Sequence, residues 1–258
     1  MKAQLPNRIL ITGASNGLGA ALARHYAAPG RMLILWGRDH QRLHAVATGC
    51  REAGAQVAVR SLDLSDSTAA IAAIEQEEEA GAIELALLVA GMGDTRAPGD
   101  LVEDAAQVAR LGLVNFVAAA AMAAALANRM ARRGEGQIVL VGSAAGFHAL
   151  PFAAAYAGSK AGIAQFAQAL RLGVKRHGVQ VTLVSPGFID TPAGREAPGP
   201  RPFSLQSSDA AARIARAVAR GQAHAIFPWP FILLRWLDRL LPRMLRDRLM
   251  LALTPPGD

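Results

Sequence analysis

Seven short apolar runs, separated by stretches with helical spacing, limit what this chain can fold into. The runs are Arg8–Thr12, Met32–Trp36, Gln56–Arg60, Leu85–Ala90, Gln137–Gly142, Val179–Ser185 and a shorter one near Ala223–Phe227. Helices are expected in the intervals, over Leu18–Ala28, His40–Ala53, Ser67–Glu79, Leu101–Arg132, Phe152–Arg176 and Ser207–Arg220. Strands that are apolar along their whole length are covered on both faces, and regular strand–helix alternation builds a parallel sheet. The expectation is an α/β fold with a single doubly wound parallel sheet of about seven strands. With 258 residues the chain can form one such domain with a large core. No repeat or boundary interrupts residues 1–227, whereas composition changes over 228–258.

An apolar fraction of 52% against 18% charged residues excludes a disordered chain. The single cysteine, Cys50, excludes an internal disulfide framework and fits a reducing, cytoplasmic setting. Arg8–Thr12 is too short for the apolar core of a signal peptide and leads straight into a glycine turn. The net charge of +7 comes mostly from arginine. No basic cluster interleaved with aromatics accompanies it, so no nucleic-acid partner is expected. The run Leu111–Ala127 is almost wholly apolar, but it is alanine-rich, slightly short for a membrane span and contains Asn115. A buried helix, at a subunit interface or within the domain, is expected there.

After the first strand comes Thr12-Gly13-Ala14-Ser15-Asn16-Gly17-Leu18-Gly19. Strand, glycine turn and helix in that order make a phosphate site. Glycines let the backbone turn sharply and come close to a pyrophosphate, and the helix N-terminus offers free N–H groups. Downstream, one of the chain's two tyrosines and one of its three lysines lie four residues apart, at Tyr156 and Lys160. At that spacing they share a helix face. An ammonium beside a phenol favours the phenolate, so the Tyr156 pKa is expected below its usual value of about 10. Ser143, after a strand, is placed to polarise the same oxygen. Together these features suggest hydride transfer to or from a carbonyl or alcohol carbon. The six histidines show no metal-ligand spacing, and no metal is expected.

Thr12-Gly13-x-x-x-Gly17-x-Gly19, Asn115, Ser143, Tyr156-x-x-x-Lys160 and Pro186-Gly187-x-x-x-Thr191 together resemble the short-chain dehydrogenase/reductase family over residues 8 to 227. The resemblance implies a Rossmann-like domain and a homo-oligomer. It implies Tyr156 as general acid in reduction and base in oxidation, with Lys160 lowering its pKa and holding the nicotinamide ribose. Ser143 would bond the substrate oxygen, and Asn115 would position a water in a proton relay. Cofactor contacts would come from Gly13, Ser15, Asn16, Gly17, Leu18 and Gly19. Asp63 and Leu64 would meet adenine, and Ala90 and Gly91 would pass close to the ribose. Pro186, Gly187, Ile189 and Thr191 would meet the nicotinamide end. Leu88-Val89-Ala90-Gly91 departs from the family's Asn-Asn-Ala-Gly. The second run ends Leu35-Trp36-Gly37-Arg38-Asp39, with no acid at its tip. Arg38 suits a 2′-phosphate, so NADP(H) is preferred over NAD(H), and Asp39 suits a helix cap. Alternatives are a non-catalytic NAD(P)-binding regulator, or a sugar-nucleotide epimerase or dehydratase on a similar fold.

Pro192 to Pro202 is expected to form a mobile lid over a small-molecule carbonyl or alcohol substrate, or else a plain surface loop. From residue 228 on, Trp229, Trp236 and several leucines alternate with Arg235, Arg239, Arg243 and Arg246, interrupted by Pro242. This amphipathic helical extension is expected to make peripheral membrane contact through 228–253, or to pack on the domain or a neighbouring subunit. In either case it suggests an apolar or lipid-like substrate.

Overall fold

The structure, a computed structural model, describes residues 6–97, 99–196 and 200–252. Strands β1 (Arg8–Thr12), β2 (Met32–Gly37), β3 (Gln56–Ser61), β4 (Leu85–Leu88), β5 (Gly136–Val141), β6 (Val179–Pro186) and, later in the chain, β9 (His224–Phe227) form one parallel sheet. Their order is β3-β2-β1-β4-β5-β6-β9. Between β6 and β9 a two-residue ribbon pairs β7 (Ile189–Asp190) with β8 (Leu205–Gln206).

The helices are α1 (Gly17–Tyr26), α2 (His40–Glu52), α3 (Ser67–Ala80), α4 (Ala105–Gly112), α5 (Ala119–Arg133), α6 (Ala154–Val174), α7 (Pro192–Glu196) and α8 (Ser207–Ala219). Period-two alternation along the strands divides the core. Ile9, Ile11, Leu33, Leu35, Leu85 and Leu87 pack with Leu22 of α1, Leu43 of α2 and Ile214 of α8. Leu10, Ile34, Trp36, Ala86 and Leu88 pack with Ile74 of α3, Leu126 of α5 and Ile163 of α6. Both faces of the sheet are thus dry, as the uninterrupted apolar runs require.

Two elements differ from the sequence expectation. The helix expected over Leu101–Arg132 begins only at Ala105, where the Asp104 carboxylate accepts from the Gln107 amide at 3.0 Å. It then runs through a π-helical turn, Leu113–Ala118, into α5. By length and composition Ala105–Arg133 is apolar enough to cross a membrane. Instead it buries Leu111, Met122, Leu126 and Met130 inside the protein. Strand β4 stops at Leu88 rather than Ala90, because the Val89 and Ala90 amides donate to the Thr12 hydroxyl, at 3.0 and 3.1 Å.

The C-terminal extension folds as α9 (Pro230–Leu240) and α10 (Arg243–Ala252), separated by Pro242. Residues 253–258, part of the expected extension, lie outside the described residues.

Candidate active site

Chain order reverses between β1 and β4, which are neighbours in the sheet although β2 and β3 intervene in sequence. In doubly wound sheets the crevice outside the strand ends at such a point is where ligands bind. The glycine turn leaves β1 there. Gly13 has φ +68°, and a Cβ on it would lie 2.9 Å from Ala90 Cα. A Cβ on Gly19 would lie 2.2 Å from the Gly13 carbonyl oxygen, so α1 can start this close to β1 only with glycine in its first turn. Asn16 caps the helix by accepting from the Gly17 amide at 2.7 Å. A Cβ on Gly17 would meet the Thr191 methyl at 3.0 Å, which brings the loop after β6 onto the glycine turn.

The other predicted residues arrange around this crevice. Ser15 abuts Gly37 at the end of β2, and Leu18 and Leu64 are buried. Arg38 follows Gly37 and lies close enough to Asp63 that its charge helps to hold that carboxyl below its usual range. The larger cause is the Ser65 amide, which donates to Asp63 at 2.9 Å. Asp39 caps α2 as expected, accepting from the Arg42 amide at 2.9 Å. Gly91 lies beneath Asn115 and Lys160, and a Cβ there would sit 3.1 Å from Asn115 Oδ1 and 3.2 Å from Lys160 Nζ. The departure from the family pattern at Leu88-Val89 is spanned by the Thr12 hydroxyl, which ties this segment to β1.

Ser143 ends the chain's exit from β5 and caps a 3₁₀ turn, Ala144–Phe147, by accepting from the Ala145 amide at 3.1 Å. That turn rests on α6. A Cβ on Gly146 would lie 2.8 Å from the carbonyl carbon of Lys160, so glycine alone permits the contact. Its effect is to set the Ser143 hydroxyl near the Tyr156 phenol, close enough to lower that group's pKa. Lys160, 5% exposed, donates to the Val141 carbonyl at 3.0 Å and lies 5.9 Å from the Tyr156 ring centroid. Ser143, Tyr156 and Lys160 are therefore brought together from two elements.

The electrostatics overturn one expectation. Burial raises the Tyr156 phenol above its ordinary value, and the Ser143 hydroxyl offsets only part of that rise. Lys160 is itself lowered to about 8 by burial, so the desolvation that surrounds both groups outweighs their attraction. Asn115 is also more constrained than expected. It is 2% exposed, and its Oδ1 accepts from the Met92 amide at 2.7 Å. Its Nδ2 donates to the Met92 carbonyl at 2.9 Å and the Ser159 hydroxyl at 3.2 Å. This side chain anchors the segment after β4 to the π turn and to α6.

Pro186 ends β6, and the Gly187 amide donates to the Phe227 carbonyl at 2.8 Å. Ile189 enters the β7–β8 ribbon, and Thr191 caps α7 by accepting from the Gly194 amide at 2.9 Å. The expected lid is therefore partly regular structure, and its residues 197–199 lie outside the described ones. Local reasoning missed what α9 contributes. Phe231 lies against Gly187, where a Cβ would come 2.2 Å from the ring, and its ring meets Phe188 edge-on at 6.4 Å. Arg235 lies 5.0 Å over Phe147 and hydrogen-bonds His224 Nδ1 at 3.2 Å. Since Arg235 is the donor there, His224 Nε2–H donates to Ser185 at 2.9 Å. Burial, then the Arg235 charge, lowers His224 to about 4 and keeps it neutral. These contacts join residues far apart in sequence, so no local pattern announced them. Among the described residues no cluster of His, Cys, Asp and Glu could hold a metal ion.

Comparison with known proteins agrees with this geometry. The family model for short chain dehydrogenase matches residues 7–200. An uncharacterized oxidoreductase of Myxococcus xanthus (strain DK1622) is 33% identical over 245 residues, 92% of this chain and 94% of its own. A solved short-chain dehydrogenase from Sphingobium yanoikuyae, in complex with NADPH, superposes with a TM-score of 0.80 at 30% identity, covering 98% of both chains. A bulky-bulky ketone specific alcohol dehydrogenase from Comamonas testosteroni gives 0.77 at 26% identity, covering 98% of this chain and 96% of that one.

Proposed function

Because the chain belongs to the short-chain dehydrogenase/reductase family of NAD(P)(H)-dependent oxidoreductases, we propose that it uses NADPH to reduce an apolar ketone or aldehyde to the alcohol, with Tyr156 as the proton donor. The observation that carries this reading is the contact of Gly146 with α6, which holds Ser143, Tyr156 and Lys160 together beside the crevice. The bare backbone at Gly13, Gly17 and Gly19 suits a pyrophosphate, because side chains there would collide with Ala90, Thr191 and Gly13. Among the described residues, Val141 is the one hydrogen-bond acceptor for the Lys160 ammonium. Two of its three donors therefore remain for ribose hydroxyls.

The nicotinamide, when bound, supplies hydride to the carbonyl carbon. Ser143 then holds the carbonyl oxygen, and Tyr156 O–H donates its proton to that oxygen as it becomes an alkoxide. The phenolate left on Tyr156 is stabilised by the Lys160 ammonium. A phenol whose pKa is raised by burial stays protonated at neutral pH and suits the reductive direction. NADPH is favoured by Arg38, which follows the Gly37 end of β2, where no carboxylate stands at the strand tip to grip a ribose 2′-hydroxyl. The NADPH complex of the Sphingobium protein supports the same choice. Phe147, Phe188 and Phe231 supply an apolar mouth, and the Comamonas enzyme's bulky-bulky ketones support an apolar substrate. Exposed Val108, Leu113 and Val117 along α4 and the π turn support self-association through that helix.

The test follows the nicotinamide absorbance of NADPH with ketones and aldehydes of graded chain length. Turnover should rise with chain length and fall roughly 10²–10⁴-fold in Tyr156→Phe. Equal turnover in the variant would remove Tyr156 as the donor, and no turnover of any carbonyl would remove the reductive reading.

A further inference from the structure

We propose that the outer face of α9 and α10, together with an arginine row on α8, docks the enzyme onto an anionic lipid bilayer. Trp229, Leu233, Trp236 and Leu240 recur at offsets of four, seven and eleven residues, so they form one stripe along α9 and its entry. All four are exposed, Trp229 by 68% and Trp236 by 57%. Met244 and Leu251, one heptad apart, extend exposed apolar surface onto α10. The opposite side of α9 is already used, since Phe231 and Arg235 pin it to Gly187, Phe147 and His224. The stripe is therefore turned outward by contacts on the inner face, and nothing in the chain covers it among the described residues.

A second observation, charge, selects the occupant. A groove of about 620 Å³ opens between α8, β9 and α9, lined by Arg213, Arg216 and Arg220. These recur at i, i+3 and i+7 and so share one face of α8. Among the described residues none of the three forms an ion pair. The groove's far wall carries Ile232, which lies on α9 one turn before Trp236, so the arginine row and the apolar stripe meet there. On α10, Arg243 and Arg246 share the one Asp247 carboxylate, at 3.7 and 3.9 Å. Exposed tryptophan and leucine bordered by arginine, on a chain of net charge +7, complement a surface that offers acyl chains below and phosphates above. Free phosphate would satisfy the arginines but leave the stripe in water. A second copy of this chain would cover the stripe but bring an equal positive charge to the arginines.

Docked in this way, α9 would lie between the lipid and the loops at Gly187 and Phe147, so an apolar substrate could reach them from the bilayer. The docking itself does not depend on the reduction proposed above. Its readout is vesicle sedimentation rather than turnover, so the two proposals fail separately.

The full chain is mixed with vesicles of phosphatidylcholine alone, or of an equimolar mixture with phosphatidylglycerol, and pelleted. Partition should favour the anionic vesicles by about tenfold and weaken between roughly 0.1 and 0.5 M salt. Tryptophan emission should shift to the blue with the anionic vesicles only. The double variant Trp236→Glu/Leu240→Glu and the triple variant Arg213→Gln/Arg216→Gln/Arg220→Gln should each lose most of this binding. The proposal is overturned if the wild-type chain stays in the supernatant with both vesicles. Equal binding to both compositions, unaffected by the triple variant, also overturns it. So does a fall in solution mass by light scattering in the double variant without lipid binding by the wild type, because the stripe would then be an interface between copies.

Discussion

Lys160 is an ammonium with one acceptor among the described residues and almost no exposure, and its stability effect has a definite sign. Its folded pKa, about 8, lies below the 10.5 it starts from. Between those values the unfolded chain binds more protons, so stability rises with pH across that window and is lost again as pH falls toward 8. The full difference is about 3 kcal/mol. The buried Tyr26, Tyr156 and Cys50, whose pKa values are raised, act in the opposite sense, so urea unfolding of the cofactor-free protein at pH 7.5 and 10 should show the rise as a difference, with wild type gaining stability relative to Lys160→Met. Equal slopes would mean that Lys160 titrates normally. Gly146 makes a second residue-scale prediction. Gly146→Ala forces the Ser143 turn away from Lys160, so kcat should fall by about tenfold or more while NADPH affinity stays within a factor of about two. A parallel loss of both, measured by NADPH fluorescence titration, would show damage beyond the turn. Tyr156 and Lys160 were legible in sequence because one helical turn joins them. The direction of their pKa shifts was not, because local spacing carries no information about burial.

At the scale of elements, the strands were readable nearly to the residue, since apolar runs bounded by glycine or charge carry their own limits. The errors lie where a hydrogen bond decides the boundary. Thr12, 77 residues away, stops β4 early; α4 starts late for a local reason, the Asp104 cap on Gln107, which the apolar pattern alone did not mark. The π turn around Asn115 was also invisible, because it is organised by Met92 and Ser159, which are 23 and 44 residues away. The α9 contact was hidden for the same reason, and it can be tested as a pair. A methyl on Gly187 would sit 2.2 Å from the Phe231 ring, so Gly187→Ala should cost about 1–3 kcal/mol by overpacking. Removing the ring relieves the clash, so Gly187→Ala/Phe231→Ala should be less destabilised than the sum of the single variants. Strict additivity in denaturant unfolding would show that the two residues do not touch.

At the scale of the whole molecule, the parallel sheet ends with β9 at Phe227, and the helices α9 and α10 follow it. Among the described residues, both hydrophobic clusters that clad the sheet are built from residues up to Phe227. The glycine turn, Arg38, Ser143, Tyr156 and Lys160 likewise precede the extension. The extension reaches the site through Phe231 at Gly187 and through Arg235 at Phe147 and His224. A chain ending at residue 228 should therefore still melt cooperatively. It should bind NADPH with an affinity reduced by about tenfold or less, since Gly187 loses its packing partner but the turn at Gly13 to Gly19 is intact. Turnover should split by substrate. Short, water-soluble carbonyls should keep most of their kcat/KM, whereas long-chain ketones, which need the apolar mouth closed by Phe231, should lose the gain that chain length gives the full chain. Thermal melts, NADPH titration and kcat/KM against chain length on the shortened protein measure these separately. Loss of cooperative melting would mean that the extension is part of the folding unit. An unchanged chain-length dependence would mean that the apolar mouth is formed without the extension.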